Sequence, residues 1–266
     1  MHFSYIKSPC TQKSRFLLIF SETTIMKERN NSDYKGEFNM IYITGDVHGK
    51  PDRFLPENTP VVKKLSKKDY FLIAGDFGFL FRMDEKEKEH LDDLESLPFT
   101  ILFIDGNHEN FDALNRYPIE MWHGGKIHRI RKNILHLMRG QVFTIENRTF
   151  FTMGGGYSID KFLRKEGVSW WKEEIPSEEE FEEARKNLKA HDFKVDYIIT
   201  HAAPEKIMNM IFPNHAPELK LNLFLQEVMD KTQYAHWYFG HLHQENTYPY
   251  NVTQLYENGL VLETDE

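Results

Sequence analysis

Residues 41–49 read Ile-Tyr-Ile-Thr-Gly-Asp-Val-His-Gly. The β-branched and aromatic start is typical of a buried strand, and the glycine ends it. Asp46 and His48 follow on the turn, where residues two apart point to the same side of an extended chain. A carboxylate and an imidazole therefore converge at the carboxyl end of a strand, and together they can chelate a divalent metal. An isolated Asp-x-His sequence is more often not a metal site, so the rest of the chain has to support this interpretation.

The same pattern, an apolar run that ends on a side chain of the kind that binds metals, recurs four more times. In the third run, Asn107 can offer its amide oxygen, whereas the adjacent His108 points elsewhere if the backbone is extended. This suits one metal ligand beside one acid–base group. The four further runs span residues 69–76, 100–109, 194–201 and 234–243, and they carry Asp76, Asn107 with His108, His201, and His241 with His243.

The order of predicted elements favours an α/β fold. Strand-like runs alternate with amphipathic helices predicted over residues 84–97, 177–188 and 221–229, which predicts a mainly parallel sheet in the first half. A capping box at Ser177 begins the second of these helices. Residues 134–145 and 148–153 are predicted to form an antiparallel pair, and residues 248–262 a closing hairpin that turns at Asn258-Gly259.

Composition limits the function classes. The chain has 266 residues, 40% hydrophobic and 28% charged, with a formal net charge of -8. This balance disfavours long nucleic acids and anionic membranes as partners, although a local patch can still bind phosphate. The single cysteine excludes an internal disulfide, and the longest apolar run near the start, residues 16–20, is too short to span a bilayer. We therefore expect a cytoplasmic protein with no membrane partner; the sequence leaves the oligomeric state open.

Residues 1–39 differ from the rest, since they are polar and lack sustained periodicity. Two interpretations stay open. Translation starts at Met40 and the first 39 residues are a misassigned extension, or they form a flexible tail. The domain is expected over residues 40–266.

Residues 157–175 are the candidate substrate wall. Arg164, with neighbouring lysines, can bind phosphate, and Trp170 can stack on a base or sugar. The alternative is that the tryptophans pack this segment onto the domain.

The five motifs together resemble the calcineurin-like metallophosphoesterase superfamily, and the final Gly240-His-Leu-His243 is similar to its phosphodiesterase-type branch. The stretch around Gly167-Val-Ser-Trp-Trp is also similar to that of uncharacterised bacterial and phage members. The resemblance implies a four-layer α/β/β/α sandwich of two mixed sheets. It implies a dinuclear metal site, hydrolysis by a metal-bridging hydroxide, and His108 as the general acid. The substrate implied is a small phosphate ester, either a phosphodiester or a small phosphorylated metabolite. One metal would be held by Asp46, His48 and His243, the other by Asn107, His201 and His241, with Asp76 bridging the two.

Charge supports this assignment. Two divalent ions, two ionised aspartates and a bridging hydroxide leave a net charge of about +1, which attracts a phosphate anion. We expect Mn²⁺ as the metal, with Fe, Zn, Ni and Co as alternatives that the same ligands suit.

The sequence departs from the family at one place. Many relatives continue the Gly-Asp motif with an Asp and an Arg that orient the catalytic histidine and hold phosphate, whereas here Phe77-Gly-Phe-Leu80 follows. This leaves His108 without an identified partner and counts against a serine/threonine phosphoprotein phosphatase. The other alternative is a non-catalytic interaction scaffold, against which the retained His108 argues.

Overall fold

The computed structural model describes residues 39–213 and 219–262. The expectation for residues 1–39 falls, except for its last residue, outside the described part of the chain. The described strands are β1 (Ile41–Thr44), β2 (Tyr70–Ile73), β3 (Thr100–Phe103), β4 (Ile119–Trp122), β5 (Gly125–Arg131), β6 (Ile134–Leu137), β7 (Gln141–Ile145), β8 (Arg148–Met153), β9 (Tyr197–Thr200), β10 (His236–Phe239), β11 (Asn246–Tyr248), β12 (Val252–Gln254) and β13 (Leu260–Val261).

These strands form two mixed sheets. The first has the order β13-β1-β2-β3-β6-β5-β4, and the second has the order β11-β12-β10-β9-β8-β7. Strands β1, β2, β3 and β6 are parallel, which confirms the parallel sheet expected for the first half. Parallel pairing also joins β8, β9, β10 and β12, so several strands of each sheet end at the same edge.

The alternation of side chains along the strands separates three apolar layers. In β1, Ile41 and Ile43 face the second sheet and pack in a layer that also contains Ile199 and Tyr238. Tyr42, between them, faces the opposite side. A period of two thus buries both faces of the strand.

The helices cover the two outer faces. Helix α1 packs its Leu91 and Leu94 on the outer face of the first sheet, whereas α3, α4 and α5 pack on the second sheet around Trp237. The result is the expected four-layer α/β/β/α sandwich. The helices are α1 (Glu85–Glu95), α2 (Phe111–Leu114), α3 (Glu178–Ala190), α4 (Glu205–Ile211) and α5 (Leu219–Lys231), and single 3-10 turns lie at Pro51–Phe54, Pro60–Lys64, Lys161–Leu163 and Lys172–Glu174. Within residues 39–213 and 219–262, none of the helices has the length and apolar character needed to cross a membrane.

The capping box is confirmed. Ser177 Oγ accepts a hydrogen bond from the Glu180 amide at 3.2 Å, and the Glu180 carboxylate accepts one from the Ser177 amide at 2.7 Å. Both bonds satisfy donors that the first helical turn leaves without a partner.

The expected antiparallel pair is confirmed for β7 and β8, which pair across the turn at Asn147. Two details of the expected pairing were wrong. Residues 134–145 are not one strand, because β6 belongs to the first sheet and β7 crosses to the second. The closing hairpin turns at Tyr250-Asn251, both with positive φ, and not at Asn258-Gly259. After that hairpin the chain returns to the first sheet, and β13 pairs with β1. Local alternation predicts strands but does not say which sheet completes their hydrogen bonds.

A buried arginine ties the loop after β1 to the carboxyl-terminal segment. The Arg53 guanidinium donates to the Asp46 carbonyl at 3.0 Å, to Thr44 Oγ1 at 2.7 Å, and to the carbonyls of Tyr256 and Glu257 at 2.9 and 3.2 Å. Arg53, Thr44 and Asp46 are buried, so water does not readily replace the guanidinium at the latter two acceptors. The cation therefore fixes the loop that carries Asp46.

Replacing Arg53 by alanine is expected to lower the free energy of unfolding by about 3 kcal/mol, because buried carbonyl oxygens lose their donor. Urea denaturation followed by circular dichroism measures this loss. The control is Arg116→Ala, at an exposed position, for which a change within about 0.5 kcal/mol is expected. Equal effects of the two substitutions would contradict the role assigned to Arg53.

Candidate metal centre

The loops that follow five strands meet at one edge of the sandwich. β1, β2 and β3 of the first sheet and β9 and β10 of the second precede them. Four candidate ligands have positive φ although none is glycine: His48 at 53°, Asp76 at 50°, His241 at 72° and His243 at 51°. Such a conformation costs free energy and concentrates at functional sites, where it aims a side chain inward.

The first group of ligand atoms is formed by Asp46, His48 and His243. His243 Nε2 lies 3.1 Å from Asp46 Oδ2, and His48 Nε2 lies 3.6 Å from the same oxygen. The Nε2 atoms of the two histidines are 2.8 Å apart. Two imidazole nitrogens and one carboxylate oxygen thus face a common point.

The second group is formed by Asp46, Asp76 and His201. His201 Nε2 lies 3.5 Å from Asp76 Oδ1 and 3.1 Å from Asn107 Oδ1. Asp76 also reaches the first group, since its Oδ2 lies 3.7 Å from His48 Nε2. Its two oxygens therefore face different groups, which is the arrangement that a bridging carboxylate needs.

His241 borders the second group. Its ring centroid lies 4.8 Å from that of His201. Gly156 packs between the ligands, because a Cβ there would lie 3.1 Å from Asn107 Oδ1 and 3.3 Å from His241 Cε1. The structure thus brings together all seven side chains that the sequence selects as metal ligands.

Divalent metals fit this donor set. A metal with bonds of about 2.1 Å brings neighbouring ligand atoms to about 3 to 3.5 Å of one another, and the separations in the first group are similar. Asp46 Oδ2 is buried and lies 3.1 Å from His243 Nε2 and 3.6 Å from His48 Nε2, so a cation held by both imidazoles would also be beside this carboxylate oxygen. Carboxylate, imidazole and amide ligands together suit Mn, Fe, Co, Ni or Zn.

The electrostatics of the site are those of a cation pocket. Burial on its own would raise the pKa of Asp76, but His201 beside it lowers that pKa to about 2. His201 itself is buried, which disfavours its charge, yet Asp76 and Asp46 raise its pKa to about 10. Without a metal, the proton on His201 balances the carboxylates, so a metal has to displace that proton.

Two glycines permit this close packing. A Cβ at Gly75, whose φ is +98°, would lie 2.1 Å from His201 Nδ1. A Cβ at Gly106 would lie 2.0 Å from Asp76 Oδ1. The glycines of the Gly-Asp and Gly-Asn motifs are therefore required by the neighbouring ligands themselves.

The partner that the sequence leaves open for His108 is Arg164. Arg164 Nη1 lies 3.1 Å from His108 Nδ1, and it also donates to the Ser169 carbonyl at 3.2 Å. Asp160 lies 2.8 Å from Arg164 Nη2 and holds the other side of the guanidinium. Since arginine only donates, His108 Nδ1 accepts and the ring proton lies on Nε2.

A second contact from residues 157–174 reaches Asn107. Asn107 Nδ2 donates to Ser158 Oγ at 3.1 Å, and Ser158 Oγ donates to Glu174 Oε1 at 3.0 Å. The Ser158 amide donates to the other carboxylate oxygen at 3.0 Å. Burial raises the pKa of Glu174 to about 7, although these donations oppose the shift. An ionised Glu174 only accepts, so Ser158 must accept from Nδ2, which leaves Asn107 Oδ1 facing the metal ligands.

The two tryptophans have different places. Trp171 is buried and donates from Nε1 to Asp112 at 2.9 Å, so it packs residues 157–175 onto the domain. Trp170 is half-buried, and Lys161 Nζ lies 5.3 Å from its ring centroid. Arg164 lines a cleft beside the ligands together with His108 and His241.

The sequence interpretation missed a buried network behind the Asn107 loop. Asp105 accepts from Arg139 at 2.8 Å, and His136 Nε2 lies 3.1 Å from the same carboxylate. Arg139 also donates to the Glu173 carbonyl at 2.6 Å, next to Glu174. Although burial opposes it, Arg139 holds the pKa of Asp105 well below its usual range. Asp105 lies within the strand-end motif, between Ile104 and Gly106, so the sequence could have indicated it as a buried carboxylate. No sequence pattern indicates Arg139.

The calcineurin-like phosphoesterase family matches residues 40–245. The chain belongs to this family and is a metal-dependent phosphoric ester hydrolase. No curated protein matches the sequence.

Chelation of metals is expected to lower the thermal stability of the protein. Each divalent ion present at about 100 times its Kd stabilises the folded state by about 2.7 kcal/mol. Differential scanning calorimetry with EDTA, and then with excess Mn²⁺, measures the difference.

The control for this experiment is Asp76→Asn, which removes the carboxylate that faces both groups. A much smaller response to Mn²⁺ is expected from that variant. Identical unfolding of the original protein with chelator and with Mn²⁺ would contradict a metal centre at these residues.

Proposed function

We propose that this protein is a two-metal phosphodiesterase. Asp46, His48 and His243 would hold one ion. Asn107, His201 and His241 would hold the other, and Asp76 would contribute to both. When bound, two such ions lower the pKa of water to near neutral and stabilise negative charge on the phosphoryl oxygens. The convergence of seven ligand side chains from five strand ends carries this proposal.

A diester is favoured over a monoester by the space around His108. One cleft, of about 320 Å³, is lined by His48, His108 and the residues that follow Gly78. A second, of about 250 Å³, is lined by Asp76, His108 and Arg164. His108 therefore borders both clefts. A phosphodiester carries two substituents, and each of them can lie in one of the two clefts. A monoester has a single substituent and would use only one cleft.

His108 is the proposed hydrogen-bond and proton donor to the leaving oxygen. Its amide donates to Asp76 Oδ1 at 2.7 Å, which places it beside the bridging carboxylate. Burial lowers the pKa of the His108 imidazole, an effect that Asp76 opposes and Arg164 reinforces. The neutral ring donates through Nε2 while Arg164 occupies Nδ1.

Arg164 is the proposed phosphate contact, and by donating to Nδ1 it determines whether His108 can release its Nε2 proton. Transfer of the Nε2 proton is favourable only when Nδ1 is protonated too, and this requires Arg164 to leave it. An entering phosphate anion competes for the guanidinium through charge-assisted hydrogen bonds. Substrate binding thus frees Nδ1 to take a proton from solvent, and the imidazolium then gives its Nε2 proton to the leaving oxygen. Trp170, half-buried beneath Lys161, remains the proposed stacking contact for a base or sugar.

We propose Mn²⁺ as the metal ion. Asp, Asn and His ligands with several oxygen donors suit this harder ion among the candidates. Ranking activity with Mn²⁺, Fe²⁺, Co²⁺, Ni²⁺ and Zn²⁺ added to the chelated protein checks the choice.

With a dialkyl phosphodiester, whose alkoxide needs a proton to leave, and Mn²⁺, His108→Ala is expected to reduce kcat by 10² to 10⁴, about the range for loss of a general acid. Hydrolysis of bis-p-nitrophenyl phosphate, whose phenolate leaves unprotonated, should fall much less. Calorimetric titration with Mn²⁺ should still show two sites. His191→Ala, at an exposed position, is the control and should retain activity. Unchanged turnover of the dialkyl diester in His108→Ala would remove this residue from the mechanism, and faster hydrolysis of p-nitrophenyl phosphate than of bis-p-nitrophenyl phosphate would favour a monoesterase.

Ser158→Ala is expected to weaken one of the two metal sites by about 10- to 100-fold, as is typical when a group that orients a ligand is lost. Removal of the hydroxyl leaves the Asn107 amide free to turn. Calorimetric titration with Mn²⁺ at pH 8, where Glu174 is ionised, measures both affinities.

Ser158→Thr keeps the hydroxyl and should retain the affinity of that site. Ser96→Ala, at an exposed position directly after α1, is the control and should change neither metal affinity. Equal weakening of both sites in Ser158→Ala would indicate general loss of structure instead.

A further inference from the structure

The cleft of about 320 Å³ on the His48 side extends away from the metal ligands along the start of α1. Its wall contains Phe81 and Arg82, followed by the first turn of the helix. This segment is fixed, because Asn110 Nδ2 donates to the Phe81 carbonyl at 3.1 Å and the Glu87 carboxylate accepts from the Arg82 amide at 2.8 Å. The cleft is therefore a built part of the site.

The acidic side chains that line this cleft are occupied by backbone donors. Glu87 accepts from the amides of Arg82 and Met83, the latter at 2.7 Å. Asp84 caps α1 by accepting from the Glu87 amide at 2.9 Å. Their negative charges are thus partly satisfied by the loop and the helix start.

The cationic side chains of the cleft, in contrast, form no ion pairs with the described residues. Arg82 and Lys86 are exposed, and within residues 39–213 and 219–262 neither guanidinium nor ammonium has an ion-pair partner. Lys88, two residues after Lys86, is different, because its Nζ lies 4.0 Å from the Glu85 carboxylate. Two available cations therefore face a cleft that begins at His48 and His108.

We infer that this cleft binds an anionic group, a phosphate or carboxylate, on one of the two substituents of the substrate. The inference rests on the proposed function, because the phosphoryl group must lie at the metal ligands for the substituent to reach Arg82 and Lys86. Arginine provides a planar pair of donors for such an anion, and lysine adds a second charge. Phe81 gives the same wall an apolar surface for the part of the substituent between the two charged ends. The substrate class is thus a phosphodiester with a second negative charge on one arm.

The test compares two non-hydrolysable analogues of a diester that differ only in that charge, (4-carboxybenzyl)methylphosphinate and (4-carbamoylbenzyl)methylphosphinate. Calorimetry with the Mn²⁺-loaded protein measures both affinities. The carboxylate is expected to bind about tenfold more tightly, which two exposed ion pairs can supply. In the double variant Arg82→Gln/Lys86→Gln the preference should fall to about one.

The matched control is Lys63→Gln/Lys67→Gln, which removes the same charge at exposed positions away from the cleft and should keep the tenfold preference. A preference that persists in Arg82→Gln/Lys86→Gln, or that disappears equally in the control, would overturn the inference. Turnover of bis-p-nitrophenyl phosphate by the unaltered protein tests the proposed function separately, because the comparison of the two phosphinates measures binding alone.

Discussion

Two buried carboxylates at the meeting point of the sheets set the constraints on the rest of this structure. Asp46 and Asp76 are each about 1% exposed, and burial of an unpaired charge is costly. The backbone amides of His108 and His241 donate to Asp76 and Asp46, at 2.7 and 2.9 Å, and a cation beside the two carboxylates offsets the charge that remains. Without a metal, the cation is protonated His201, with its pKa raised to about 10. The positive φ values, the closely packed glycines and the buried Arg53 all help to position these two carboxylates where the sheets meet.

Residues 157–174 complete the site from outside the recurring strand-end motifs. In the sequence, Phe77-Gly-Phe-Leu80 stands where many relatives carry residues that orient the histidine and hold phosphate. In the structure, Arg164 contacts His108, and Ser158 with Glu174 orients the Asn107 amide. One segment therefore reaches both a proposed ligand and the proposed acid. This explains why the loss of the usual motif does not leave His108 without a partner.

The convergence of the seven candidate ligands was predictable because each follows a short apolar strand, and parallel strands place their carboxyl ends at one edge. The alternation of Ile41, Tyr42 and Ile43 likewise predicts a strand buried on both faces. The crossing of the chain between sheets after Leu137 was not predictable, because local alternation is the same in either sheet. Nor were Arg164 and Ser158, since only the tertiary fold brings an irregular segment next to Asn107 and His108.

The most direct test of the metal centre is a crystal structure of the Mn²⁺-loaded protein with anomalous scattering measured at the manganese edge. We expect two anomalous peaks about 3.5 to 4 Å apart, with Asp76 between them, Asp46, His48 and His243 around one, and Asn107, His201 and His241 around the other. A single peak, or none within bonding distance of Asp46 and Asp76, would contradict the assignment of a dinuclear metal centre to these residues.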